Sequence, residues 1–210
     1  MWAKASSRPS KLPRMTSRRF SQAISEGDGI SVIADVANAE AARMAAAEGA
    51  EALAVRGEVD GLRLVTELPI LWRAAGPPSQ AALAGADAWL VAVEDAREDG
   101  DWLVRQHAEA IDLGLDCVVG VRNEEELELA LERLDPEILL LAAGTSQDAD
   151  ALGRALELLP DVPAGKLAVA DVPVSSREEV DQLERAGVDA VIVGARDVAE
   201  LVGDIPPEAF

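Results

Sequence analysis

Four stretches of this chain repeat one piece of punctuation: EGAEALAV (residues 48–55), AGADAWLV (84–91), LGLDCVVG (113–120) and AGVDAVIV (186–193). Each reads as a glycine that stops a helix, a small or apolar residue, an acid, and then an apolar run of strand length. The unit recurs at roughly 30 residues, with one doubled gap that the apolar run at residues 138–142 fills. A strand that returns parallel to its predecessor needs a crossover helix of about this length, so the repeat implies successive βα units on one sheet. A closed barrel and a doubly wound open sheet both satisfy it.

The clearest unit is LAVADVPVSSREEVDQLERAGVDAVIVGARD, residues 167–197. Its two Val-rich runs have the continuous apolar character of strands covered on both faces. Between them Ser175 or Ser176 can cap a helix, Glu178 and Glu179 suit the positive end of its dipole, and Gly187 can end it in the left-handed conformation.

The same reading along the whole chain predicts strands at residues 31–36, 52–55, 69–73, 88–93, 117–121, 137–142, 166–172 and 190–194. Helices are predicted at 40–47, 60–66, from 79, 101–112, 123–134, 148–159, 176–186 and from the last strand to about 202. Eight alternating pairs are the count of a (β/α)8 TIM barrel, small at 210 residues, so its βα loops must be short. With 49% apolar and 28% charged residues, a single core of this size needs no second domain.

Residues 1–25 break this composition. They hold Lys4, Arg8, Lys11, Arg14, Arg18 and Arg19 with no acid, and Pro9 and Pro13 interrupt them. They read as a flexible basic arm, with residues 26–210 as the barrel domain. Deleting residues 1–14 is expected to leave stability nearly unchanged.

The net charge of -20 argues against nucleic acid and anionic membranes as partners, leaving small molecules and proteins. The longest apolar runs fall well short of the 18 or so residues of a membrane helix, and a cytoplasmic location is expected. Cys117 stands where a small buried hydrophobe belongs, so neither a disulfide framework nor a cysteine metal site is expected. His107 falls in the middle of a predicted outer helix, and Trp72, Trp89 and Trp102 suit packing positions. No cofactor or metal is expected.

The stretches FSQAI (20–24), GISVIADV (29–36), LPIL (68–71), ALAGADAWLVAV (82–93), LGLDCVVGV (113–121), EEELELAL (124–131) and SREEVDQLERAGVDAVIVGA (176–195) resemble the indole-3-glycerol-phosphate synthase family of tryptophan biosynthesis. The last stretch is widespread among phosphate-binding barrels, whereas FSQAI followed by GISVIADV is closer to this family alone. The resemblance implies a TIM barrel and a lyase that closes the indole ring of a carboxyphenylamino-deoxyribulose phosphate with loss of carbon dioxide and water. It also implies a lysine general acid at strand 3, a second lysine and a glutamate at strand 1, a glutamate at strand 5, an asparagine at strand 6 and a glutamate-serine pair at strand 7.

Those positions are substituted here. The strand 1 Glu-x-Lys stands as Asp35-Val36-Ala37, and the long loop after it is missing. Trp72-Arg73-Ala74-Ala75 replaces Arg-Lys-Asp-Phe at strand 3, so Arg73 stands in place of the acid. The strand 5 glutamate falls on Gly120, the asparagine on or near Ala142, and the strand 7 Glu-Ser-Gly on Asp171-Val172-Pro173. A general acid must release a proton near the working pH, and a guanidinium with a pKa above about 12 does not. Lys166, the one lysine in the body, starts the seventh strand on the face opposite catalysis. Of the phosphate-binding turns, Gly194 and Ala195 remain while Pro173 lacks an N–H.

The predicted catalytic face therefore presents Asp35, Arg73 and Asp171 at the substituted family positions, with Arg56, Glu94, Arg122, Gly194, Ala195 and Arg196 as candidate ligand contacts. Such a rim can hold a small anionic or phosphorylated metabolite, or pair internally as a salt-bridge network in place of a pocket. The expectation is a barrel that is catalytically silent and binds a small anion or a protein partner, the alternative being an active carbon-carbon lyase or another lyase or isomerase on a phosphorylated or carboxylated metabolite.

Overall fold

The computed structural model describes residues 19–26, 29–96, 100–142 and 150–202. Eight strands, β1 (Ser31–Asp35), β2 (Ala52–Val55), β3 (Ile70–Trp72), β4 (Ala88–Ala92), β5 (Asp116–Val121), β6 (Ile138–Ala142), β7 (Leu167–Asp171) and β8 (Ala190–Gly194), are followed by helices. All neighbouring strands are parallel, and β1 pairs with β8 over its full length, so the sheet closes in chain order. Of the two architectures the repeat allows, the chain adopts the (β/α)8 barrel.

The helices are α2 (Ala39–Ala47), α3 (Leu62–Val65), α4 (Pro78–Leu83), α5 (Gly100–Asp112), α6 (Glu124–Arg133), α7 (Ala151–Leu158), α8 (Arg177–Ala186) and α9 (Val198–Val202), with α1 (Phe20–Ser25) ahead of β1. The starts of α2, α6 and α8 carry side-chain caps: Asn38, Asn123 and Ser176 accept from the backbone N–H three residues on. Gly187 ends α8 at φ 101°, where a Cβ would be strained. The expected start of the α7 helix at 148 lies outside the described residues.

The strands alternate between two apolar layers. Ile33, Leu71, Val118, Leu140, Val169 and Ile192 pack inside the barrel, while Leu53, Trp72, Trp89, Val119, Leu141 and Val191 face the helices. The interior also includes alanines at 52, 54, 88 and 190, whose small side chains leave room for further packing.

Part of that packing is supplied from below, which corrects the reading of residues 1–25 as one flexible arm. Residues 20–25 form α1 under the barrel, with Phe20 0% and Ile24 2% exposed inside the same apolar cluster as the lumen. The apolar pair Phe20 and Ile24, one helical turn apart, was hidden in sequence by its polar neighbours. Residues 1–18 lie outside the described residues.

Three of the repeated acids accept backbone N–H groups at this lower end. Asp87 accepts from the Ile70 N–H at 2.9 Å and Asp189 from the Ala168 N–H at 2.7 Å, each stapling the start of one strand to its neighbour. Asp116, 5% exposed, instead accepts from the Ser21 N–H at 2.8 Å and pairs with Arg19 at 2.9 Å, which fastens α1 to the barrel. Lys166 pairs with Asp135 at the same end, remote from the strand C-termini.

Cys117 is buried, and burial beside Asp116 pushes its thiol up to about 12. His107 is half-buried on α5, where desolvation lowers its pKa. No helix among the described residues is long and apolar enough to cross a membrane.

Candidate functional site at the barrel mouth

Parallel strands that start together end together, so the register decides which side chains share the upper rim. Asp35 is paired in register with Ala54 on one side and Gly194 on the other, and Ala142 with Asp171. The Arg73 N–H donates to the carbonyl of Val55, which carries β3 one residue further to the same level. Asp35, Arg73, Asp171 and Gly194 therefore meet at one rim although they are spread over most of the chain.

Arg73 is the centre of this rim. Its side chain is only 7% exposed, its Nη2 donates to Asp171 Oδ2, and its Nη1 lies 3.6 Å from Asp35 Oδ2. Nε and Nη1 are buried without a hydrogen-bond partner. Arg56, 69% exposed, donates from Nε to Asp35 Oδ2 at 2.9 Å, and its Nη2 lies 2.9 Å from the same oxygen. The result is a chain of alternating charges, Arg56 to Asp35 to Arg73 to Asp171, laid across the mouth from β2 to β7.

A second group forms on the far side. Arg122, just beyond β5, pairs with Glu94 and, at 2.7 Å, with Glu126 on the first turn of α6. The Glu126 contacts, its hydrogen bond foremost, hold the guanidinium pKa above its ordinary value. Sequence reading missed Glu126, although its place four residues after Arg122 is the spacing of facing side chains on a helix.

At β8 the glycine turn is occupied from within. A Cβ built on Gly194 would lie 2.6 Å from Asp197 Oδ2, so this carboxylate rests against the bare backbone that a ligand would approach. Ala195 is half-buried and Arg196 exposed in the turn that follows, and neither takes part in the two charge groups. Across the mouth, Ala92, Gly120 and Ala142 present a wall of small residues, with Ala92 and Gly120 in register. A Cβ at Gly120 would meet Leu90 Cδ1 at 3.4 Å, an ordinary contact, so packing does not demand glycine there.

The rim thus gathers Asp35, Arg56, Arg73 and Asp171 into one network and Glu94 with Arg122 into another, and leaves Gly194, Ala195 and Arg196 outside both. Chemically it offers paired charges rather than a free acid and base. Among the described residues no group of His, Cys, Asp and Glu is arranged to hold a metal ion.

A closed barrel of eight parallel strands, each followed by a helix, defines a protein of the TIM-barrel class. Solved structures agree on this fold. A mutant tryptophan synthase alpha-subunit from the hyperthermophile Pyrococcus furiosus superposes with a TM-score of 0.64 at 15% identity, covering 84% of this chain and 98% of that one. A structure titled "Native KDPGal structure" gives 0.57 at 16% identity, covering 82% and 92%.

Sequence relatives narrow the class. The family model for indole-3-glycerol phosphate synthase matches residues 79–199. The synthase of Nocardioides sp. is 34% identical over 188 residues, 81% of this chain and 68% of that protein. That of Pelodictyon phaeoclathratiforme is 31% identical over 148 residues, 66% of this chain and 56% of its own. The chain belongs to the indole-3-glycerol phosphate synthase family. It spans about half the length of the first curated relatives it matches. The family match covers Glu94, Arg122, Asp171 and Gly194 but begins after Asp35, Arg56 and Arg73.

Proposed function

We propose that this barrel no longer performs the ring-closing lyase reaction associated with its family and serves as a binding barrel. The observation that carries the reading is Arg73, which stands at the family's lysine position and is held nearly buried against Asp171 and Asp35. A guanidinium so paired neither releases a proton at neutral pH nor reaches freely for a substrate. Asp35, Gly120 and Ala142 stand in place of further functional groups, and none of them can supply the missing cationic acid.

What the mouth retains is weak affinity for small anions, because the exposed Arg56 can exchange the Asp35 carboxylate for one of a ligand. Dissociation constants for phosphate, sulfate or anthranilate in the order of millimolar, about 4 kcal/mol, are expected. A protein partner is the other occupant this reading allows.

The test is complementation of a synthase-deficient tryptophan auxotroph, with fluorescence detection of indole glycerol phosphate from the purified chain. No growth and no product are expected. Growth without tryptophan would establish instead the rival reading favoured by the family match, an active carbon-carbon lyase that works with other residues.

A further inference from the structure

Beside the mouth, over the end of β4, a cleft of about 400 Å³ opens between the loop at residues 74–77 and α5. Its loop wall is bare for a backbone reason. Ala75 offers a methyl group, and Gly76 sits at φ 136°, where a side chain would be strained and its Cβ would lie 2.6 Å from Gln80 Oε1. The opposite wall is Trp102 and Gln106, four residues apart on one face of α5. Trp89 also lines the space; it is 2% exposed and its Nε1 has no hydrogen-bond partner.

The charge of the cleft is one-sided. Asp95, an exposed carboxylate, is the single ionisable residue among the described residues that line it. The whole chain carries a net charge of -20, so the long-range field points the same way. Anions are disfavoured here, in contrast to the arginine-centred mouth. Two indoles and a carboxylate around a narrow apolar slot suit a flat ring that carries a positive charge.

We propose that this cleft is a binding site for a small arylalkylamine, its ring seated between Trp102 and the Ala75–Gly76 wall and its ammonium turned to Asp95. The site is separate from the charge network of Arg73 and independent of whether the barrel is catalytically silent. No bond is made or broken in it.

The test uses the intact chain and three probes of one shape, phenethylamine, 2-phenylethanol and 3-phenylpropionate, followed by calorimetry and by NMR shifts. Phenethylamine should bind about fivefold tighter than the alcohol, the scale of an exposed charge pair, and the carboxylate should bind weakest. Asp95→Asn should make amine and alcohol equal, and Trp102→Ala should weaken both. Ala75→Phe, on an exposed loop, should fill the cleft and abolish binding in a chain whose circular dichroism is unchanged, which keeps the test decisive if Trp102→Ala does not fold. Absence of amine binding at tens of millimolar, equal or tighter binding of the carboxylate, or binding indifferent to Ala75→Phe would overturn the proposal.

Discussion

Arg73 at the end of β3 donates to Asp171 at the end of β7, so one ion pair between residues 98 apart ties opposite sides of the barrel mouth together. Because the arginine side chain is 7% and the aspartate 27% exposed, the pair lies between a surface bridge and a buried one. Removing the cation would leave Asp171 without its partner and Asp35 with Arg56 alone. Arg73→Ala is therefore expected to destabilise the chain by about 2–3 kcal/mol, and the joint change Arg73→Met with Asp171→Leu by much less. Urea denaturation of the three proteins measures it; equal midpoints for Arg73→Ala and the parent would show that the pair is structurally idle.

Arg73→Lys restores a side chain that can give up a proton, yet it is expected to confer no synthase activity. The positions around it, Ala37, Gly120 and Ala142, hold no group that orients a substrate or stabilises its charge. The auxotroph complementation assay reads this variant directly, and growth would mean that one lysine is enough.

Phe20 packs at the base of the lumen, in the same apolar cluster as Ile33, Leu71 and Val118, and it is fully buried. Truncation to alanine leaves a cavity no neighbour can close, at a cost of about 3 kcal/mol. Thermal unfolding of Phe20→Ala should show a clear fall in midpoint, whereas a shift within error would mean that α1 is detached in solution.

With its pKa raised to about 12 and only 4% of its surface exposed, Cys117 should be inert to a disulfide reagent at pH 8 until the chain unfolds. The rate of labelling should follow the rate of opening as urea is added. Rapid labelling of the native protein would contradict the buried position.

Glu179 accepts from the Ser175 N–H at 2.7 Å and from its hydroxyl at 3.1 Å, and the first of these bonds lowers its pKa below the usual value. A depressed carboxyl contributes stability above the unfolded-state pKa, about 4.3, and that contribution is lost as the pH falls through the folded value. Glu179→Gln should therefore be less stable than the parent at pH 7 and indistinguishable from it near pH 3. Ser176→Ala, which removes the cap itself, should cost about 1 kcal/mol at both. Chemical denaturation at the two pH values separates the two effects.

Local chemistry made the barrel legible. Asn38, Asn123 and Ser176 announce helix starts and Gly187 a helix end because capping needs only residues three or four apart. The apolar runs give strands because burial on both faces leaves no room for polar residues. The acids after the glycines were visible as a pattern, but their task was not, since Asp87, Asp116 and Asp189 act on N–H groups 17, 95 and 21 residues away.

The sequence by itself determined which residues stand at strand ends, and hence that Asp35, Arg73, Asp171 and Gly194 would share a rim once eight parallel strands closed. Only the tertiary structure decided between a pocket of free charges and a network of paired ones. That choice depends on how far each strand is staggered around the barrel and on where an arginine head can reach. The same holds for α1, whose apolar pair gains its meaning only once the closed barrel offers an apolar base to pack against. Contacts across a closed sheet are set by the register of every strand between them, a sum of local offsets that no short window of sequence contains.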